Sequence, residues 1–511
     1  MSKPRIHLAA VLLACLPVAA LASAATPAQP AHGVAPAYTV PIAAALDALM
    51  QAPGGAPAMA AVVVQGDAEW IDVRGRVHTD RDAAADAETR FYIASRTKSF
   101  LGLLAAVLDA RGVLPLSRTL AEVWPGLRLP PPADPRRITM ADLLSHQEGL
   151  RTETLNIVTA HVRDVPASEY PGLLATEATP RDPGFRYANL GDLIYGAALE
   201  AASGRGWRDW LDTTVLRPLA LDGISSRTST VPAAQLSWNH QWDGARWHAL
   251  RPKPDALMHA AGGLVASPRA LARWMRANLD PGGAGRALPA IAWQRSQQPI
   301  AQSKLADGEI DCNGYSLGWY TCSYRGQQAL MHPGSYDGTV SVTVLVPSVK
   351  AGMSLMASSD SAMEGLQLEM MKAFIGLAGG QPGEDERLRR AVEAYPAKVA
   401  AQAARRRAAI EQDRADPRWG GSAWTADAAA LQACSGNFGN RLFGTMRVAM
   451  EAGALVARLG ALEMRLEPAQ PGLFAAAGAA LAPAEPLHCD AGAGQLRWNG
   501  QVFDRQATGK G

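Results

Sequence analysis

Residues 91–98 read Phe91-Tyr92-Ile93-Ala94-Ser95-Arg96-Thr97-Lys98, and Phe100, Leu101, Leu103, Leu104, Val107 and Leu108 then recur at helical spacing as far as Arg111-Gly112. The periodicity predicts a helix following Ile93-Ala94, stopped by the basic residue and the glycine. Ser95 and Lys98 stand three positions apart and so share one helical face. From there the ammonium can hydrogen-bond the hydroxyl and stabilise negative charge developing on it. The start of a helix also offers free backbone N–H groups and a partial positive charge to an incoming carbonyl oxygen.

Two further stretches carry side chains suited to the same chemistry. Tyr187-Ala188-Asn189 follows Pro183-Gly184-Phe185-Arg186 in a loop that enters a helix. A neighbouring ammonium favours phenolate, which would make Tyr187 a usable base, and the amide of Asn189 can orient both Lys98 and an amide of the substrate. His332-Pro333-Gly334-Ser335 ends a strand-like run. Gly334 lets a substrate backbone approach the strand edge, and the N–H of Ser335 could complete an oxyanion hole with the N–H of Ser95.

In this order the three elements resemble the serine β-lactamase and penicillin-binding-protein superfamily. The resemblance is to its branch of class C β-lactamases, D-Ala-D-Ala carboxypeptidases, D-aminopeptidases and related esterases. It extends over roughly residues 41–377 and takes in Leu143-Leu144-Ser145-His146-Gln147-Glu148-Gly149-Leu150, Ala261-Gly262-Gly263-Leu264 and Tyr315-Ser316-Leu317-Gly318-Trp319. It implies Ser95 as nucleophile, Lys98 as its activating partner, Tyr187 as general base and later acid, and Asn189 as the holder of the substrate's acyl side chain. Where the family often has Lys-Thr-Gly, this chain has His332-Pro333-Gly334. A lysine would be cationic at every working pH, whereas His332 is expected to titrate near neutrality, and Pro333 has neither a hydroxyl nor an N–H to grip a carboxylate. The exchange points toward an esterase or D-amino-acid peptidase. A β-lactamase, or a non-catalytic protein that binds penicillin or cell-wall peptides, are the alternatives.

The rest of the 511 residues fits an α+β architecture: an antiparallel sheet flanked by helices, a helical subdomain, and a small C-terminal antiparallel β-barrel. Met59–Val64 and Trp70–Val73 read as a hairpin, and strand-like runs return at 316–323, 328–332, 338–346 and 352–357, followed by a helix over about 362–377. The expected organisation is a signal peptide over 1–24, a flexible lead-in over 25–39, the hydrolase domain over 40–379, a charged helical linker over 380–420 and a lipocalin-like barrel over 421–511. Lys3 and Arg5 precede an apolar stretch shorter than the roughly 20 residues that span a bilayer, and Ala22-Ser23-Ala24 supplies a cleavage site. Stable membrane insertion is therefore not expected, and the mature chain is read as secreted or periplasmic. Lipid anchoring through Cys15 is the competing reading.

In an oxidising compartment the four remaining cysteines favour, by chain proximity, Cys312 with Cys322 and Cys434 with Cys489. A net charge of +2, from 49 Lys and Arg against 47 Asp and Glu, gives no field that would recommend a nucleic acid. Scattered histidines and the lack of metal-ligand spacing predict no metal and no cofactor. The substrate is expected to be a small ester, amide or peptide, and the oligomeric state stays open. Two features are read as structural. Gly314-Tyr315-Ser316-Leu317-Gly318 matches a nucleophile-elbow pattern but is followed by strand-like sequence instead of a helix. Arg405-Arg406-Arg407 is read as part of the linker helix in preference to an anionic docking patch.

Overall fold

The computed structural model describes residues 35–306, 308–360, 366–422, 426–478 and 481–506. The expected signal peptide, with Cys15, lies outside the described residues. The chain begins with helix α1 (Thr39–Gln51) and the hairpin β1 (Ala58–Gln65) and β2 (Ala68–Gly75). A long helical region follows, containing α2 (Thr97–Ala110), α3 (Met140–Leu144), α4 (Leu190–Ser203) and α5 (Pro268–Leu279). Strands β3 (Ala301–Ala306), β4 (Ile310–Tyr315), β5 (Tyr320–Tyr324), β6 (Gln327–Tyr336), β7 (Thr339–Val346) and β8 (Ala351–Ala357) then complete one antiparallel sheet in the order β3-β4-β5-β6-β7-β8-β1-β2. Helices α6 (Leu366–Ala378) and α7 (Glu384–Arg414) close the domain.

The apolar run of β1 follows from its burial on both faces. Ala58, Ala60, Val62 and Val64 pack with α2 and the helical region, while Met59, Ala61 and Val63 pack with α1 and α6. The first and last segments of the chain thus meet at the centre of the sheet, where β1 pairs with β8.

The described part of the expected lead-in is more ordered than its composition suggested. The Tyr38 hydroxyl donates to Gln65 Oε1 at 3.1 Å, and α1 already begins at Thr39. The charged segment likewise is no free-standing linker. Along α7, Leu388, Tyr395, Val399 and Ala403 are buried, a stripe at helical spacing that packs the helix against α1 and α6. Arg406 pairs with Asp360 and Arg407 donates to the Asp243 carbonyl, so these two guanidinium groups are spent on the fold. Among the described residues no helix is long and apolar enough to cross a membrane.

The C-terminal strands close into an eight-stranded barrel: β9 (Gly436–Asn440), β10 (Gly444–Glu451), β11 (Ala454–Leu459), β12 (Leu462–Gln470), β13 (Leu473–Ala477), β14 (Glu485–Asp490), β15 (Gln495–Trp498) and β16 (Gln501–Arg505). Phe438, Met446, Leu455, Phe474, Leu487 and Phe503 are buried within it, whereas Arg447 and Arg458 alternate outward. The barrel rests on the helical region. Ala461 N donates to Val162 O at 2.9 Å, and Arg163 Nε donates to Leu442 O at 2.8 Å. Both expected disulfides are present: Cys312–Cys322 ties β4 to β5, and Cys434–Cys489 ties the entry of the barrel to β14.

Candidate active site

Ser95 sits in a single 3-10 turn, Ala94–Arg96, that runs into α2. Ala94 takes φ +47°, a left-handed conformation that a residue with a Cβ rarely adopts. The surroundings hold it there. Ile93 N donates to Leu264 O at 3.0 Å, Ser341 Oγ donates to Ile93 O at 3.1 Å, and Thr97 Oγ1 donates to Ala94 O at 2.7 Å.

Lys98 is 1 % exposed, and its ammonium gives one hydrogen bond each to Ser95 Oγ (3.2 Å), Asn189 Oδ1 (2.8 Å) and Ala261 O (2.8 Å). Burial pushes its pKa down to about 8, against the attraction of Asp192. The carbonyl that completes this cradle comes from Ala261-Gly262-Gly263-Leu264, which the sequence reading treated only as a connecting segment.

The Tyr187 hydroxyl is close enough to Ser95 for that side chain to act on its pKa, and the Lys98 ammonium lies 5.0 Å from the centre of its ring. The ring is 37 % exposed at the cleft while the hydroxyl end is turned inward to Ser95. Desolvation there raises the phenol above its ordinary value of 10, outweighing the effect of Ser95. The expected easy phenolate is therefore corrected: at rest Tyr187 holds its proton. Asn189 spends its Oδ1 on Lys98, and among the described residues its NH2 group donates to no partner.

The loop bearing these residues is braced by Arg181. Its guanidinium donates to His146 O at 2.9 Å, Leu150 O at 3.2 Å and Gly184 O at 3.0 Å, and pairs with Glu148 at 3.2 Å. A Cβ on Gly191 would overlap the Leu143 carbonyl, so its absence lets α4 cross α3 closely and bring Asn189 to Lys98. Asp192, in the first turn of α4, was not singled out from sequence. Its Oδ2 lies 3.9 Å from Lys98 Nζ. The signal was its place one turn after Asn189, which puts both on one helical face.

Strand β6 supplies the opposite wall. A Cβ on Gly334 would overlap the Ile93 carbonyl, so only glycine lets the strand pass this close to the serine. The pairing of β5 with β6 stops at Tyr320–Met331, whereas β6 pairs with β7 as far as Tyr336–Thr339. Residues 332–336 therefore form an open strand edge. Tyr336 and Thr339 close a two-residue hairpin and exchange hydrogen bonds, and alternate residues follow that pattern. The main-chain groups of Pro333 and Ser335 accordingly point away from β7, toward the cleft. The N–H of Ser335 is thus left unused by the pairing with β7.

His332 is the residue whose placement departs most from expectation. It has no exposed surface; Nδ1 lies 2.7 Å from Pro333 O and Nε2 lies 3.2 Å from the Tyr315 hydroxyl. Burial pushes its pKa down to about 3, helped by the charges of Lys98 and Arg96. It stays neutral through the physiological range, and the expected titration near neutrality is corrected. His146 also reaches Tyr315, at 3.1 Å from its hydroxyl, and is buried.

Ser316 is buried in a turn between β4 and β5, its Oγ donating to Trp319 O at 3.3 Å. The glycine of that turn serves close packing on α2: a Cβ on Gly318 would overlap the Lys98 carbonyl. No strand-turn-helix elbow exists there.

A solved structure of an octameric penicillin-binding protein homologue from Pyrococcus abyssi superposes with a TM-score of 0.57 at 15 % identity, over 92 % of this chain and 100 % of that one. The D-amino acid amidase of Ochrobactrum anthropi SV3 superposes with a TM-score of 0.55 at 18 % identity, over 67 % of this chain and 99 % of that one. Among curated relatives, unguisins hydrolase ungD' of Aspergillus campestris is 25 % identical over 310 residues, and protein flp of Staphylococcus aureus is 20 % identical over 289. The chain spans little more than half the length of these two relatives, 57 % and 56 %. The sequence model of the family described as Beta-lactamase matches residues 42–372, which carry the sheet, the helical region and every side chain of the cleft. The chain belongs to the β-lactamase family.

Proposed function

We propose that the protein is a secreted serine hydrolase that acts through an acyl-enzyme on an ester or amide, of the esterase or D-amino-acid peptidase type. One observation carries the reading: a single buried amine bonds both the Ser95 hydroxyl and Asn189 and lies 5.0 Å from the centre of the Tyr187 ring. The amidase and hydrolase names among the relatives support hydrolysis of an amide, and two disulfides support an oxidising compartment.

With its pKa lowered to about 8, Lys98 is in part an unprotonated amine at neutral pH and is the better acceptor for the Ser95 proton. Ser95 Oγ attacks the substrate carbonyl as that proton passes to Lys98 Nζ. The oxyanion is held by the N–H groups of Ser95 and Ser335. Tyr187 gives its proton to the leaving group and recovers one from the Lys98 ammonium, which leaves a neutral acyl-enzyme. Water then attacks by the reverse route: its proton enters the Lys98–Tyr187 pair, Ser95 regains a proton, and the acid departs. Asn189 offers its NH2 to a carbonyl of the acyl group.

The test is a fluorophosphonate probe followed by peptide mass spectrometry, with a panel of chromogenic esters, D-aminoacyl anilides, stem peptides and nitrocefin. Label on Ser95 is expected, with turnover abolished in Ser95→Ala and reduced on the order of 10² to 10⁴ in Tyr187→Phe. Absence of label at Ser95 would favour a binding protein, and wild-type rates in Tyr187→Phe would remove its role.

A further inference from the structure

Asp192 stands three residues after Asn189, and its carboxylate reaches Lys98 from the helix side. The two side chains are 1 % and 0 % exposed, and 3.9 Å separates Oδ2 from Nζ. The three N–H groups of the ammonium are spent on Ser95, Asn189 and Ala261, so none is left for the carboxylate. Asp192 Oδ2 accordingly has no hydrogen-bond partner among the described residues. A buried carboxylate oxygen without a donor costs stability, and in a helix otherwise lined by Leu190, Leu193 and Ile194 an apolar residue would pack at no such cost. The helix cannot drift to relieve it, because Gly191 is pressed on the Leu143 carbonyl. What the position offers is a negative charge beside the one amine that touches the nucleophile.

We propose that Asp192 is a positioning residue that acts through Lys98: it is the buried counter-charge that decides whether the shared proton rests on the amine or leaves it free to accept the proton of Ser95. The inference rests on the reading of Ser95 and Lys98 given above. Burial acts on both partners in the sense this role requires, raising Asp192 to about 7 and lowering Lys98 to about 8, so their titrations meet near neutral pH. The other groups that face the pair do not take over the role. His146, His332 and His259, from three separate segments, are each pushed below the ordinary histidine value by burial and stay neutral. Tyr187 and Tyr315 are raised by burial and keep their protons. Arg96, lowered to about 9, remains a cation at pH 7, and its recorded side-chain bond is to Ser354. Glu148 faces Asp192 but is bridged to Arg181 at 3.2 Å.

The experiment is the pH dependence of fluorophosphonate labelling of Ser95, and of kcat/KM for a chromogenic ester, in the wild type, Asp192→Asn, Asp192→Glu and Glu148→Gln. An opposite charge at this distance shifts a pKa by about 1 to 3 units. Removing it should move the rising limb of the Asn variant to lower pH by at least about one unit. A weaker base should also lower the plateau roughly tenfold, with KM little changed. Asp192→Glu keeps the charge, so its limb should lie at or above the wild-type pH, and it carries the test if the Asn variant does not fold. Glu148→Gln should move the limb less, because Arg181 already neutralises that charge. An unmoved limb in Asp192→Asn, a lowered one in Asp192→Glu, or an equal shift in Glu148→Gln overturns the inference while leaving a labelled Ser95 intact. Failure to label Ser95 in the wild type would instead end the hydrolase reading and the inference with it.

Discussion

His332 marks the difference between a residue type and its environment. Its sequence position, two before Gly334 at a strand end, made it a candidate for the cleft, and an imidazole in water titrates near 6.5. Enclosed between the Pro333 carbonyl and the Tyr315 hydroxyl, it refuses a proton until about pH 3. The unfolded chain, by contrast, takes one up near 6.5. The folded state therefore loses stability as pH falls from about 6.5 toward 3, on the order of 1 kcal/mol per pH unit for this group. His332→Asn should reduce that acid-side slope in thermal melts between pH 6.5 and 4, leaving the share of the other buried histidines, and should leave the slope above pH 7 unchanged. An equally steep slope in the variant would mean that the imidazole is not enclosed. The same contrast separates what could be read in advance at this scale. Ser95, Lys98, Tyr187, Asn189 and Gly334 sit in short local patterns whose spacing states their chemistry. Arg181 and the Ala261 carbonyl acquire their meaning only from partners far away in the chain, and Asp192, though one turn after Asn189, shows its role only once Lys98 is beside it.

Among the elements, β6 is where packing and chemistry meet. Its passage beside the nucleophile depends on the missing side chain of Gly334, because a methyl group there would overlap the Ile93 carbonyl. Gly334→Ala should therefore push Ser335 N–H out of line with the oxyanion. We expect a fall of about 10² or more in kcat/KM, the usual effect of losing one such donor, together with a lower melting temperature. Steady-state kinetics and a melt of the same sample check both, and wild-type kcat/KM would remove Ser335 from the oxyanion site. Most strands were legible because β1 and β8 are buried on both faces and read as largely apolar runs, while β7 alternates valine with Thr339, Ser341 and Thr343. Strand β3 was not. Its sequence, Ala301-Gln302-Ser303-Lys304-Leu305, belongs to an edge strand with a register shift against β4, and neither alternation nor an apolar run survives there. The run expected from Ser316 begins instead at Tyr320, because Gly318 makes a turn that packs on α2.

For the molecule as a whole, the two-part division was legible from the return of Gly-punctuated strands after the charged segment, but the way the parts join was not. Helix α7 proves to be a packed member of the first domain, which was hard to read because its stripe of four buried residues is diluted among many charges. The barrel seats itself on residues 162–163, in the segment whose Ala160 carbonyl and His161 ring hold the Tyr336 hydroxyl at 3.2 and 3.0 Å. Its own integrity leans on Cys434–Cys489, which closes a loop 55 residues long. A loop of that size corresponds to about 4 kcal/mol of chain entropy in the unfolded state. Replacing both cysteines by alanine should lower the melting temperature of the barrel transition by several degrees, and calorimetry of the full chain would register it. An unshifted transition would show that the bridge adds nothing to the barrel. The open margin of β6 carries one more implication. A bare strand edge ordinarily invites a neighbouring molecule to add its own strand, the first step toward polymeric aggregates. Here that margin runs only from His332 to Tyr336, and proline occupies one of its two outward positions. An intruding polypeptide would find a lone hydrogen to accept, at Ser335. That suffices to seize one polarised oxygen, and it is too little to template a growing stack.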